Sequence, residues 1–298
     1  MTATGFDERL TRVEAGDALT ADEIRQLGAS PDIVSLGMLA DTLRRRMRGT
    51  SATYLRVATC ALEGSFSEAV PPAAREVCIT GEPETAAAAI DAVRRARAVA
   101  GARTVSALAW ADIERLGPAY DGGIAALLSA LREAGLDSLR ELPLETLADA
   151  GAVVDALKSA GFSQLRLTID ASDPGARADL WLRAAELQAR TGIIQTLNPL
   201  PMTLRTFRPT TGYEDVRSVA LARLAAPNIP SIQVDWTRYG PKLAQVALTF
   251  GADDVWGVSA SDAAPEGRRR AAVEEIRRNI IAAGFEPVER DGRYGVTA

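Results

Sequence analysis

Apolar residues recur at helical spacing through the first fifty positions. Leu10, Val13 and Leu19 lead into Thr20-Ala-Asp-Glu23. There the Thr20 hydroxyl and the Glu23 carboxylate have the three-residue separation that lets each satisfy the other's backbone amide, so a helix is expected to start at Thr20. Ile33, Leu36, Leu39, Leu43 and Met47 then mark one apolar face over 32–47. From about residue 51 the pattern alternates. Strand-like runs are expected at 53–60, 76–80, 104–108, 136–139, 164–169, 193–197, 232–235 and 253–255. Helical runs at 86–99, 123–134, 144–160, 175–190, 214–225 and 242–250 separate most of them. About eight βα units favour a parallel α/β barrel over an open doubly wound sheet. The tail breaks the alternation. Residues 265–283 read as a helix ended by Gly284, and Phe285–Glu289 with Arg293–Val296 read as a β-hairpin turning at Asp291-Gly292. The expected organisation is a single domain over 1–298, with N-terminal helices at 1–50, the barrel at 51–257, and the C-terminal helix and hairpin at 258–298.

Composition narrows the possibilities. With 47% hydrophobic and 24% charged residues, the chain is an ordinary globular one rather than a disordered one. No apolar run reaches the roughly 20 residues that a membrane helix needs, and the first residues lack a basic start followed by an apolar stretch. A cytoplasmic protein without membrane contact is expected. A net charge of −5 disfavours a nucleic-acid partner. The arginine runs Arg44–Arg46 and Arg268–Arg270 share their elements with acidic residues and read as solvated helix faces. There is no histidine, which excludes Ser-His-Asp and Cys-His catalysis and histidine-ligated metals. The two cysteines, Cys60 and Cys78, read as structural thiols.

Several stretches resemble a known family. Asn228-Ile-Pro-Ser-Ile-Gln-Val-Asp-Trp-Thr-Arg-Tyr-Gly-Pro-Lys through Asp253-Asp-Val-Trp-Gly257 is similar to the final barrel segments of the menaquinone-pathway radical SAM enzymes, above all aminofutalosine synthase. Gly37-Met-Leu-Ala-Asp, Leu108-Ala-Trp-Ala-Asp, Ala130-Leu-Arg-Glu-Ala-Gly, Leu182–Leu200, Thr211–Leu224 and Pro287-Val-Glu-Arg-Asp extend the resemblance to that group, which includes futalosine cyclase and the deazaflavin cofactor synthases. It implies a radical SAM type of TIM-like barrel. It also implies a 4Fe-4S cluster on Cys-x3-Cys-x2-Cys after the first strand, since such clusters are held by thiolates. Here the matching positions are Cys60, Gly64 and Ser67, so the expectation is that the cluster is absent and no metal site remains, with Cys60 the only candidate remnant ligand. Cys78 falls inside the second strand and is expected in the core or barrel interior.

The resemblance also guides the choice of site residues. In Ile79-Thr-Gly81-Glu82-Pro83 a single glycine stands where the family carries Gly-Gly, whose backbone receives the amino group of S-adenosylmethionine. As a plain βα turn the segment needs no ligand. Arg166 on the fifth strand either neutralises a bound carboxylate or pairs with an acidic neighbour, and Asp170 lies close to it in sequence. Asn198, Gln233 and Asp235 are placed towards the carboxyl ends of their strands, where barrels bind ligands. Asp253-Asp254 is a solvated turn or part of that mouth. Lys242, after Gly240-Pro241, is a surface lysine or an anion contact at a helix start. Trp236 and Trp256 are core residues or stacking platforms.

The function expected from all this is that of a cluster-free, catalytically degenerate homologue of aminofutalosine synthase. It would act as a ligand-binding or partner protein linked to futalosine-route menaquinone biosynthesis. The partner would be a small molecule or a paralogous pathway enzyme, in a homo- or hetero-oligomer. The alternative is an enzyme doing non-radical chemistry on S-adenosylmethionine or an aromatic carboxylate in the barrel cavity.

Overall fold

The computed structural model describes residues 3–66, 70–169, 176–202, 211–264 and 271–297. Three helices, Ala3–Ala15, Ala21–Ala29 and Ile33–Arg48, precede the first strand. The expected capping box is present: Thr20 Oγ1 accepts from the Glu23 amide, and the Glu23 carboxylate accepts from the Thr20 amide. Asp32 caps the third helix with its side chain, which accepts from the Ser35 amide.

Eight strands then alternate with helices: β1 (Ser51–Ala61), β2 (Glu76–Thr80), β3 (Thr104–Ala109), β4 (Ser138–Glu141), β5 (Leu165–Ile169), β6 (Ile194–Pro201), β7 (Ser231–Asp235) and β8 (Asp254–Ser259). They form one parallel sheet in the order β4-β3-β2-β1-β8-β7-β6-β5. The ends of this sheet, β4 and β5, come together without a regular ladder. They meet through a bridge at Pro143 and Thr168, where the Thr168 amide donates to the Leu142 carbonyl at 3.0 Å. The result is a nearly closed barrel with a seam between β4 and β5. Every strand alternates between an outer face packed on helices and an inner face, and the outer layer joins the helices in one large hydrophobic core. Among the described residues no helix is long and apolar enough to cross a membrane.

Two expectations need correction. Phe285–Glu289 does not pair in a hairpin. Residues Glu286–Glu289 form a ninth strand, β9, parallel to the first half of β1, with Ser51 opposite Glu286 and Tyr54 opposite Glu289. β2 pairs with β1 only from Val57 onward, so the early part of β1 is left with an open edge, and β9 takes it. The following Asp291–Gly295 loop is closed by the Asp291 carboxylate, which accepts from the Arg293 and Gly295 amides. A single antiparallel bridge joins Arg290 and Val296.

The second correction concerns Arg44, which is fully buried rather than solvated, while Arg45 and Arg46 are exposed. Arg44 donates to the carbonyls of Gly49 (3.0 Å), Ser51 (2.5 Å) and Ala252 (3.2 Å) and lies over the Phe285 ring. Burial pulls its pKa down to about 10. It ties the third helix to the start of the barrel. Arg268–Arg270 lie outside the described residues.

Candidate functional site

The end of β1 is where the resemblance implies a metal cluster. The register pairs Thr59 with Cys78 and Cys60 with Ile79, so the two thiols occupy alternate positions and face opposite sides of the sheet. Cys60 packs in the helix-side core, whereas Cys78 sits inside the barrel with Leu55, Val57 and Trp256. Burial raises the Cys60 thiol, and burial with the nearby Glu76 charge pushes Cys78 up to about 11. In the free protein both are therefore neutral thiols and poor nucleophiles. The next loop is held by its own contacts. The Gly64 amide donates to the Ala61 carbonyl at 2.9 Å. Arg95 reaches over from the helix Ala86–Ala100, donates to the carbonyls of Leu62 (2.8 Å) and Gly64 (3.3 Å), and lies over the Phe66 ring. Ser67 lies outside the described residues. Among those described, no three Cys, Asp or Glu side chains converge to hold a metal. The donor set does not fit a thiolate-held cluster.

Gly81 ends β2 at φ +110°, a conformation that favours glycine, and an added Cβ would press on the Leu62 Cβ at 3.3 Å. The turn thus needs its glycine for backbone reasons. Glu82 beside it is exposed.

Polar groups concentrate instead inside the N-terminal half of the barrel. Asp254, the first residue of β8, is fully buried and points inward. Its oxygens accept from Arg290 Nε (2.6 Å) and Nη2 (2.7 Å), from Gln233 Nε2 (2.6 Å) and from Thr53 Oγ1 (2.5 Å). Burial alone would raise this carboxyl. The Arg290 guanidinium and the two neutral donors outweigh that and hold it below the usual carboxylate range. Arg290 stacks over the Tyr294 ring, and the Tyr294 hydroxyl bonds to Thr196 Oγ1 at 2.6 Å. Tyr294 has φ +65°, uncommon for a bulky residue, and these contacts with the Asp291 turn hold it there.

A second chain of contacts runs through Trp256. Its Nε1 donates to Glu76 Oε1 at 3.1 Å, and the Ser106 hydroxyl donates to the same oxygen at 2.6 Å. The Arg166 guanidinium lies 4.5 Å from the Trp256 ring and donates to the Arg140 carbonyl at 2.9 Å, with a long contact of 3.5 Å to Gln233 Oε1. All eight barrel strands and the C-terminal tail contribute to this network.

The mouth is arranged differently. Asp235 Oδ1 accepts from the Thr237 amide (2.8 Å), the Thr237 hydroxyl (2.7 Å) and the Arg238 amide (3.1 Å). It caps the helix Trp236–Leu248, which starts before Gly240-Pro241 and bends at Gly240. Asn198 Oδ1 accepts from the Leu200 amide. Tyr239 donates to the Pro201 carbonyl at 2.7 Å, and burial, then the Asp215 charge, raises its hydroxyl pKa. Lys242 is exposed on the same helix.

The structure therefore brings Arg166 and Gln233 together, with Asp254, inside the barrel. Asn198 and Asp235 lie at the mouth with their acceptor oxygens engaged by backbone amides. Gly81 and Glu82 follow the carboxyl end of β2, at the mouth end of the barrel. Asp253 and Asp254 are both buried rather than a solvated turn, and Asp253 accepts from Arg223, from Arg48 (3.1 Å) and from the Ile232 amide (2.7 Å) on the outer face. Asp170 lies outside the described residues. Glu76, Arg290 and Tyr294 went unread. Glu76 carried a usable signal, an acid opening an otherwise apolar strand.

The barrel shares its fold with solved structures. It superposes on the FeFe-hydrogenase maturase HydG from Carboxydothermus hydrogenoformans with a TM-score of 0.68 at 14% identity, covering 96% of this chain and 79% of that one. Methylornithine synthase (PylB) gives 0.65 at 18% identity, covering 94% and 97%. At such identities the likeness concerns the fold. Sequence comparison narrows it: the family described as the CofH/MqnC C-terminal region matches residues 198–298. The chain is also 34% identical over 146 residues to aminodeoxyfutalosine synthase of Streptomyces coelicolor, covering 42% of this chain and 38% of that protein. It is 36% identical over 124 residues to the 5-amino-6-(D-ribitylamino)uracil–L-tyrosine 4-hydroxyphenyl transferase of Archaeoglobus fulgidus, covering 37% and 36%. Over these stretches the chain is similar to the menaquinone-pathway radical SAM family. The matched stretches span well under half the length of these relatives.

Proposed function

We propose that this chain is a cluster-free relative of aminofutalosine synthase. In this reading it serves as a ligand-binding or partner protein linked to futalosine-route menaquinone biosynthesis. One observation carries the proposal: the thiol at the family's first ligand position packs into the helix-side core, and its loop carbonyls are taken by Arg95. A cluster would require that cysteine to turn outward as a thiolate and two more thiolates to join it. Gly64 cannot supply one, and a serine at position 67 is a hydroxyl. The partner is a small molecule or a paralogous cluster-bearing enzyme of the same pathway. S-adenosylmethionine as ligand would rest on the β2 turn at Gly81.

The other reading, non-radical chemistry on S-adenosylmethionine or an aromatic carboxylate, needs a reactive group at the mouth. Asn198 Oδ1 and Asp235 Oδ1 are spent on backbone amides, and Asp235 Oδ2 faces Arg238 at 3.9 Å, which favours binding over catalysis. The deciding experiment is anaerobic reconstitution with iron and sulfide. Colourless protein that leaves S-adenosylmethionine intact under reductant supports the proposal. A brown protein absorbing near about 400 nm, with four irons bound, overturns it.

A further inference from the structure

The seam of the barrel leaves a cavity at the end opposite the mouth. β4 and β5 pair only near Pro143 and Thr168, and below that point a space of about 370 Å³ opens between the start of β4, the start of β5 and the C-terminal tail. Arg132, Arg166, Arg293, Ser138, Gln164 and Glu76 are among its lining residues. The tail is seated over it by design of the backbone. Gly292 lies so close to Thr104 that any side chain would collide with it, and Gln164 Nε2 donates to the Arg293 carbonyl at 3.2 Å.

The charges here are unbalanced. Arg166 is only 8% exposed and forms no ion pair among the described residues; it meets a carbonyl, an amide oxygen and an indole face. Burying a guanidinium without a carboxylate is costly unless an anion completes the site. The Arg293 guanidinium is exposed at the rim and also has no acidic partner among the described residues. Of the two lining carboxylates, Asp137 is already shared by Arg97 and Arg132, and Glu76 accepts from Ser106 and Trp256. Counting Arg97, four guanidinium groups face two carboxylates. The Ser163 hydroxyl and the second N–H of the Gln164 amide add donors to a lining suited to oxygen acceptors.

We propose that this seam cavity binds a small molecule through an oxyanion, a carboxylate or a phosphate, held between Arg166 and Arg293. The site is separate from the mouth and holds whether or not a cluster is ever bound.

Calorimetric titration of the full chain with inorganic phosphate and with malonate, against chloride at matched ionic strength, tests this. At least one anion should bind saturably, one per chain, and raise Tm above the chloride reference. Tighter phosphate binding assigns a phosphate ester as the natural ligand, and tighter malonate binding a carboxylate. Arg293→Gln, an exposed change that leaves the fold intact, should weaken binding about tenfold, the loss of one charged hydrogen bond. Arg166→Lys should weaken it as well, while Arg278→Gln on the outer C-terminal helix should leave it unchanged. No saturable binding of either anion below about 10 mM, or equal binding by Arg293→Gln and the parent chain, overturns the proposal.

Discussion

At the N-terminal end of the barrel, side chain meets side chain: Asp254 is gripped by Arg290, Gln233 and Thr53, and Glu76 by Ser106 and Trp256. At the C-terminal end, side chains meet backbone instead: Asp235 caps a helix, Asn198 accepts from Leu200, and Tyr239 donates to Pro201. The difference follows from chain geometry. Strand ends lead into helix starts, whose amides lack partners and attract nearby oxygens. Strand starts offer no helix-start amides, so the buried carboxylates Asp254 and Glu76 are met there by side chains. Removing a partner should accordingly be far more damaging at the first end than at the second.

The largest effect is expected for Arg290→Met. It leaves Asp254 buried and unpaired, so urea unfolding should show a loss of about 3–5 kcal/mol. A loss below about 1 kcal/mol would mean that the interior network does not depend on this pair. Protonation should act on the same carboxylate. The folded Asp254 carboxyl lies below its ordinary value, so its stabilisation is present above about pH 4 and is lost as pH falls through the folded value. In Arg290→Met the folded value rises, so the acid side of the stability profile should flatten; an unchanged profile would contradict the assignment.

Gly292→Ala comes next, with an expected cost of about 1–3 kcal/mol from collision with Thr104. Hydrogen exchange should show the loss concentrated at β9 and the tail. At the mouth, Asp235→Ala should cost only about 1 kcal/mol, the usual worth of a helix cap, and Asp235→Asn only a few tenths. A cost there as large as that of Arg290→Met would erase the contrast between the two ends. The smallest change is expected from Arg95→Ala. Its side chain is 42% exposed, so global stability should move by less than about 1 kcal/mol. The Gly64 amide should nonetheless exchange faster, because the loop loses its two carbonyl contacts.

Much of the fold was legible in the order of residues. The helix boundaries 86–99 and 123–134 and the strand 76–80 fall within a residue of the observed Ala86–Ala100, Gly123–Ala134 and Glu76–Thr80. Their signals are local: Thr85 caps one helix, and Gly135 ends another in the left-handed conformation. The 144–160 helix was overextended. Leu144–Thr146 is a single tight turn and the helix proper begins at Ala150, capped by Asp149. The site was less legible. Arg166 and Gln233 were singled out as ligand candidates, Gln233 at the mouth; the structure brings both to Asp254 inside the barrel, and that meeting depends on the register between distant strands. Arg290 was read within a hairpin because Asp291-Gly292 is a good turn signal, and nothing near it in sequence reveals the open edge of β1.

The order of residues by itself determined the alternating strands and helices, the parallel barrel, the capped N-terminal helices and the family likeness, because each rests on periodicity or on contiguous motifs. Only the tertiary structure decided that β9 adds to β1, that the tail enters the barrel, and that Cys60 and Cys78 face opposite sides of one sheet. The reason is physical. Which backbone edge is left open, and which charge finds which partner, depends on groups hundreds of residues apart coming within 3 Å, as Thr53 and Asp254 do. No local pattern encodes that distance.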